Sequence, residues 1–543
     1  MSKSDLMSIS GTPSTALICL AALALSTAGG TGAWGAGDHR SIDGQGNNHD
    51  HARAGAVNAR LLRLTDAAYA DGRGSPGGAN RPNSREISNR VVHQKRRQLD
   101  PQGASDMFWV WGQFLDHDID LTGGMSPVEK LDIAVPAGDP FFDPTNSGRQ
   151  VIRFNRSIYD PVTGHSRRNP RQQLNLITAY IDASNVYGSD AERAAALRAN
   201  DGSGELLLSD GRMLPFNEGG FDNAGGTHKR FRLAGDIRAN ENVALLSMHT
   251  LWAREHNRQA RLVRDLAPGL KGDRIYQRAR AKVIGLVQSI TYNEFLPRLL
   301  GKSAQGRYRG WRRRVDAGIC TEFSTAAYRF GHSMVSPRLL RLRHDGKPIS
   351  RGHLRLRDAF FAPQELTADI GIEPYLRGAT AQTALKIDTM MVDELRNFLF
   401  GRPEAGGFDL AALNIQRGRD HGLADFNTVR EGYGLARLVR FNEVAHDPRI
   451  AAELRKLYRD IDDIDLWVGI MAERHAPGAM VGPTARAILA EQFQRLRDGD
   501  RFFYKRAFKG TELADIEGTT LADVIRRNTR IDDEIDDNVF TVR

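Results

Sequence analysis

Apolar residues recur at three- and four-residue steps along most of the chain. The clearest stretch is 273–293, where Ile275, Ala279, Val283, Val287 and Ile290 fall on one helical stripe. Asp273 is placed to cap its start, and Pro297 lies just past its end. The same spacing predicts helices over 107–118, 242–262, 324–335 and 484–496. Strand-like alternation is rare and short, as at 338–343. Loose Gly- and Asn-rich stretches lie at 29–56 and 72–85. Beyond them no linker is long enough to divide the chain, and no fixed-period repeat is found. The pattern predicts a mainly α protein: one large helical domain with few short strands.

The first residues follow a different pattern. Lys3 precedes a ten-residue apolar run at 16–25, too short to span a bilayer. Ser26, Thr27 and Ala28 then supply small residues, with Thr31, Gly32 and Ala33 as a second option. Residues 1–28 are read as a signal peptide, cleaved between 28 and 36, so export is expected. No later stretch is apolar enough to cross a membrane. The 543 residues carry a formal net charge of +9, with the basic residues scattered among acids. A nucleic-acid binder would gather them on one face or in a tail, so that class is set aside. Cys19 lies in the expected leader, which leaves Cys320 as the one thiol of the mature chain and permits no internal disulfide. Its simplest reading is a small buried apolar residue.

Five segments hold candidate chemistry. In WGQFLDHDID, Gln113, Asp116 and His117 stand at i, i+3 and i+4 and share a helix face, while Asp118 points elsewhere. In TAYIDAS, residues Thr178, Tyr180, Asp182 and Ser184 alternate along a turning segment. Their oxygens, with Asp118, could converge on Ca²⁺, although for the segment alone a Ser/Thr-rich turn is the simpler reading. In AGDIRANEN, Arg238, Glu241 and Asn242 share a face if the segment is helical. In YRFGHS, His332 has Arg329 one turn before it, a pairing that suits iron and a haem propionate as well as a buried core. LNIQRGRDHG adds Asn414 and Arg417 in a Gly-broken polar stretch.

Together, and in this order, these segments resemble the animal-type haem peroxidases, the family of myeloperoxidase, lactoperoxidase and peroxidasin. HRSIDGQGNN, MHTLWAREHNR, DDIDLWVG and GDRFFYKR extend the likeness over nearly the whole mature chain. The resemblance implies a peroxidase domain over 37–543, folded around one buried haem b. It implies His117 as distal base, with Arg238 and Gln113 beside it. It implies His332 as the iron ligand, donating its other ring N–H to Asn414. Asp116 and Glu241 would be the carboxylates able to form haem esters, and Arg329 and Arg417 the propionate partners. Asp118, Thr178, Tyr180 (by its carbonyl), Asp182 and Ser184 would hold Ca²⁺. The implied activity is that of a secreted (or, in a bacterium, periplasmic) enzyme. It would use H2O2 to oxidise halides or small organic donors through a ferryl-porphyrin radical.

Two departures refine this reading. Myeloperoxidase has a Met that bonds to haem after the ester-forming Glu, and this chain has Asn242 there. A less oxidising haem follows, favouring bromide, iodide or thiocyanate over chloride. Fatty-acid dioxygenases of the same superfamily place a radical Tyr three residues before the proximal His, and this chain has Arg329 there, with Tyr328 one position further back. The other alternative is an adhesive, peroxinectin-like protein with a vestigial haem site, for which Lys271-Gly272-Asp273 is the only local signal.

Overall fold

A computed structural model describes residues 39–542. The expected signal peptide lies outside the described residues. Helices dominate, and the strands form three two-stranded antiparallel ladders among the described residues. The chain is mainly α, as its periodicity predicts.

Helix α1, Asp106–Ile119, runs through the middle of the core. Trp111 and Phe114 pack against Trp252, with ring centroids 5.9 and 6.2 Å apart. Phe108 lies 4.5 Å from Phe295. This leaves Gln113, Asp116 and His117 for the opposite side. Trp252 belongs to α2, Val243–Leu266, whose N-cap is Asn242. The Asn242 side chain accepts from the Leu245 N–H at 2.9 Å, a cap worth about 1 kcal/mol.

Helix α3, Asp273–Ile290, buries the predicted stripe completely. Two details differ from expectation. Gly272 occupies the cap position at φ +50°, where a side chain is strained, and Asp273 is the first helical residue. Asp273 pairs with Arg198 at 2.8 Å, as a first-turn acid does, instead of capping. Nor does Pro297 end the helix. The chain continues through a π turn, Thr291–Phe295, into Leu296–Leu300, where proline is tolerated in the first turn.

The helix expected over 324–335 is broken. Thr321–Thr325 stops at Ala326, and Ala327–Ser333 continues as a 3-10 helix. With three residues per turn, Arg329 and His332 share one side of it. Conversely, the stretch read as Gly-broken is α4, Leu410–Asp420, capped by the Asp409 side chain. Helix α5, Pro483–Asp498, lies as expected.

Asp409 also anchors α4. Arg85, fully buried, pairs with both Asp409 and Asp139 at 2.7 Å. Replacing Arg85 by Ala strands two buried carboxylates and is expected to cost about 3–5 kcal/mol. A denaturation midpoint within a few tenths of a molar of wild type would contradict this.

Cys320 is fully buried, and burial pushes its thiol up to about 12. We expect no labelling of Cys320 by iodoacetamide at pH 8 in the folded protein and complete labelling in denaturant, read by peptide mapping. Among the described residues no helix is long and apolar enough to cross a membrane.

Candidate functional site

A cavity of about 470 Å³ opens between α1, the 3-10 helix, α4 and the turn before α2. Gln113, Asp116 and His117 line it from α1. Arg238 and Glu241 line it from the turn, Arg329 and His332 from the 3-10 helix, and Arg417 from α4. Residues more than two hundred positions apart thus meet around a space of the size that holds a cofactor.

On one wall, His117 is buried and uncharged. Burial and the nearby Arg238 hold it well below its ordinary value, so it is ready to accept a proton. Glu241 lies 3.8 Å from its Nε2. Gln113 donates to Glu241 at 3.0 Å and accepts from Asn242 at 3.0 Å. Arg238 reaches Asp116 at 3.4 Å. Burial pushes Asp116 and Glu241 each up to about 7, so near neutral pH both are partly protonated carboxyls facing the cavity.

The segment carrying Arg238 and Glu241 is a turn, not the helical face expected from the sequence. It is closed by a bond from the Glu241 N–H to the Arg238 carbonyl at 2.8 Å. What aims Arg238 is Asp236, which the sequence reading missed. Asp236 accepts from Arg238 Nε and Nη2, both at 2.9 Å, and lies 3.5 Å from His117 Nδ1. Burial opposes its charge, but the charge and hydrogen bonds of Arg238 bring its pKa down to about 2. One buried carboxylate therefore orients both groups. The AGDIR spacing was the available signal, an acid two positions before the arginine.

On the other wall, burial and Arg329 lower His332 to about 3, so it is a neutral imidazole. Its Nδ1 meets the Asn414 amide at 2.9 Å, as the pairing in sequence suggests, but with the opposite polarity. The Asn414 nitrogen faces the ring, because Arg329, a pure donor, takes the Asn414 oxygen at 3.0 Å. His332 Nε2 makes no hydrogen bond to the described residues and is left available. Arg417 pairs with Asp420 at 2.9 Å, and burial lowers it to about 10. Asp120 and His421 also line the cavity; His421 belongs to the LNIQRGRDHG segment singled out in the sequence, and Asp120 was given no role there.

Behind α1, Asp118 turns away from the cavity as expected. Its carboxylate accepts from the Ala183 and Ser184 N–H groups. Asp182 accepts from the Thr178 hydroxyl at 2.9 Å, and the Ser184 hydroxyl donates to the Asp118 carbonyl at 2.8 Å. Tyr180 sends its hydroxyl to the Ala54 carbonyl, which leaves its backbone as its only contribution to this cluster. Asp118 and Asp182 are fully buried, and among the described residues neither has an ion-pair partner. Asp182 Oδ2 has no hydrogen-bond partner. Burial raises both carboxyls, and Asp182 raises Asp118 further. An all-oxygen set around two buried carboxyls fits a hard cation.

Comparison with known proteins identifies the family. The family model for animal haem peroxidase matches residues 39–540. The chain is 35% identical to peroxinectin A of Dictyostelium discoideum, over 93% of this chain and 96% of that protein. It is 36% identical to eosinophil peroxidase of Homo sapiens, over 91% of this chain and 75% of that protein. Peroxidase A from Dictyostelium discoideum superposes with a TM-score of 0.85 at 34% identity, covering 93% of this chain and 99% of the other.

Proposed function

The chain belongs to the animal haem peroxidase family, and from that premise we propose that it is a secreted peroxidase that uses H2O2 to oxidise halides or small organic donors. The observation that carries the proposal is the pair of neutral imidazoles, His117 and His332, on the walls of one cavity with Arg238 beside the first.

Bound there, haem b would supply the iron that takes up peroxide and stores its oxidising equivalents. The residues fit such a group. His332 presents a free Nε2 as iron ligand. To do so it must carry its proton on Nδ1, which requires the Asn414 amide to turn its oxygen to the ring. Arg329 is released by that rotation and, with Arg417, can meet the propionates. Asp116 and Glu241 stand as the carboxyls available for ester links.

On the distal wall, His117 would take a proton from peroxide bound in the cavity and return it to the departing oxygen. Arg238, held by Asp236, stabilises the charge that develops as the O–O bond breaks. Gln113 keeps Glu241 and Asn242 in register beside that space. Asp118, Thr178, the Tyr180 carbonyl, Asp182 and Ser184 would hold Ca²⁺ behind His117.

Mixing haem-loaded protein with about one equivalent of H2O2 in stopped flow is expected to bleach the Soret band rapidly, with recovery on adding bromide or iodide. A spectrum indifferent to peroxide would remove the proposal. Donor choice follows from Asn242, which caps α2 and bonds Gln113. No thioether is present there to withdraw electron density from the haem. Bromide, iodide and thiocyanate are therefore expected to be oxidised at neutral pH, and chloride at least roughly tenfold more slowly. Equal rates with chloride would contradict this.

A further inference from the structure

A line of aromatic rings leads from the cavity wall to the surface. Tyr328 lines the cavity and stacks on Phe323, with centroids 4.7 Å apart and planes 14° from parallel. Tyr328 lies 5.7 Å from Phe493 on α5. Phe493 lies 6.4 Å from Tyr292, Tyr292 5.4 Å from Phe503, and Phe503 4.8 Å from Tyr308. Tyr308 is half-buried, between the exposed Arg307 and Arg309.

Core packing accounts for rings but not for the hydroxyls at the two ends. The hydroxyl oxygens of Tyr328 and Tyr308 are both buried without a hydrogen-bond partner. An unsatisfied buried hydroxyl is destabilising, so packing alone favours Phe at both positions. A phenol does differ from Phe in being oxidisable. Tyr292 is placed differently. Its hydroxyl donates to the Phe493 carbonyl, which cannot take the proton, so Tyr292 serves as a bridge and not as a resting point.

We propose that Tyr328 and Tyr308 are the two ends of an electron path through which phenols carried on macromolecules, too large for the cavity, are oxidised at the surface. Peroxide reduction leaves two oxidising equivalents at the cavity. Tyr328 gives up one electron to them and releases its phenolic proton to the cavity water. Tyr308, half-exposed, refills Tyr328 across Phe503, Tyr292 and Phe493 and passes its phenolic proton to solvent at the surface, while solvent returns a proton to Tyr328. The donor phenol then reduces Tyr308 and becomes a phenoxyl radical. Two donor phenols and one H2O2 give two phenoxyl radicals and two waters.

The test uses the full haem-loaded chain with H2O2, comparing free tyramine with tyramine coupled to dextran. We expect Tyr308→Phe to oxidise dextran–tyramine roughly tenfold more slowly or worse, with free tyramine unaffected. Tyr308→Trp, which keeps an oxidisable ring, should restore the lost rate. Without donor, a nitrone spin trap should add to Tyr308 in the wild type, read by peptide mass. The proposal is overturned if Tyr308→Phe leaves dextran–tyramine oxidation intact, if it slows both donors equally, or if no adduct forms on Tyr308. A wild type inactive on both donors would bring down the peroxidase reading itself, and this proposal with it.

Discussion

Replacing His117 by Ala is expected to slow peroxide reduction by about 10²–10⁴-fold, the usual contribution of a positioned acid–base group. Haem uptake should be unchanged, because His332 and Asn414 lie on the opposite side of the cavity from the substituted side chain, on the 3-10 helix and α4. The neutral imidazole is what makes the effect large. Burial and Arg238 hold His117 well below its ordinary value, so near neutral pH it stands as the unprotonated base. Asp236→Asn is a graded companion. It keeps the volume but weakens the grip on Arg238 at two 2.9 Å contacts, so a smaller loss is expected. Stopped-flow bleaching of the Soret band reads both variants. A His117→Ala protein that reduces peroxide at the wild-type rate would show that the proton goes elsewhere, and the assignment of this wall would fail.

Helical periodicity and side-chain spacing made much of this legible in the sequence. On α1, positions 113, 116 and 117 had to share a face once the stretch was helical, and the buried Trp111 and Phe114 show why it is. The stripe on α3 was equally plain. What the sequence hid is long-range or depends on local backbone choice. The 238–242 segment brings Arg238 and Glu241 together by a turn, which has no periodic signal. The break at Ala326 turns an expected α-helix into a 3-10 turn, and it is the three-residue period that places Arg329 beside His332. Arg85 anchors α4 from more than three hundred residues away, a contact no spacing announces. The polarity of the Asn414 amide depends on Arg329, so the partner was readable but the direction of the bond was not.

Removing the calcium proposed for the Asp118–Asp182 cluster should lower both stability and rate. Asp118 and Asp182 are fully buried near one another, and the described residues give neither an ion-pair partner. Without a cation, burial pushes both carboxyls towards their neutral forms, and the buried oxygens that would face the ion lose their partner, at about 1–3 kcal/mol for each polar group left unpaired. The backbone N–H groups of Ala183 and Ser184 offset only part of this. Because Asp118 follows His117 on the same helix, relaxing the cluster also loosens the distal wall. Chelation is therefore expected to lower the melting temperature by several degrees, by about 2–4 °C per kcal/mol for large domains. Peroxide reduction should slow at the same time. Asp182→Ala should reproduce both effects and make added calcium ineffective. Calorimetry and stopped flow on protein whose metal content has been measured decide the matter. If verified calcium-free protein keeps its melting temperature and its full rate, the oxygen cluster is a satisfied turn and the cation has no part in holding His117.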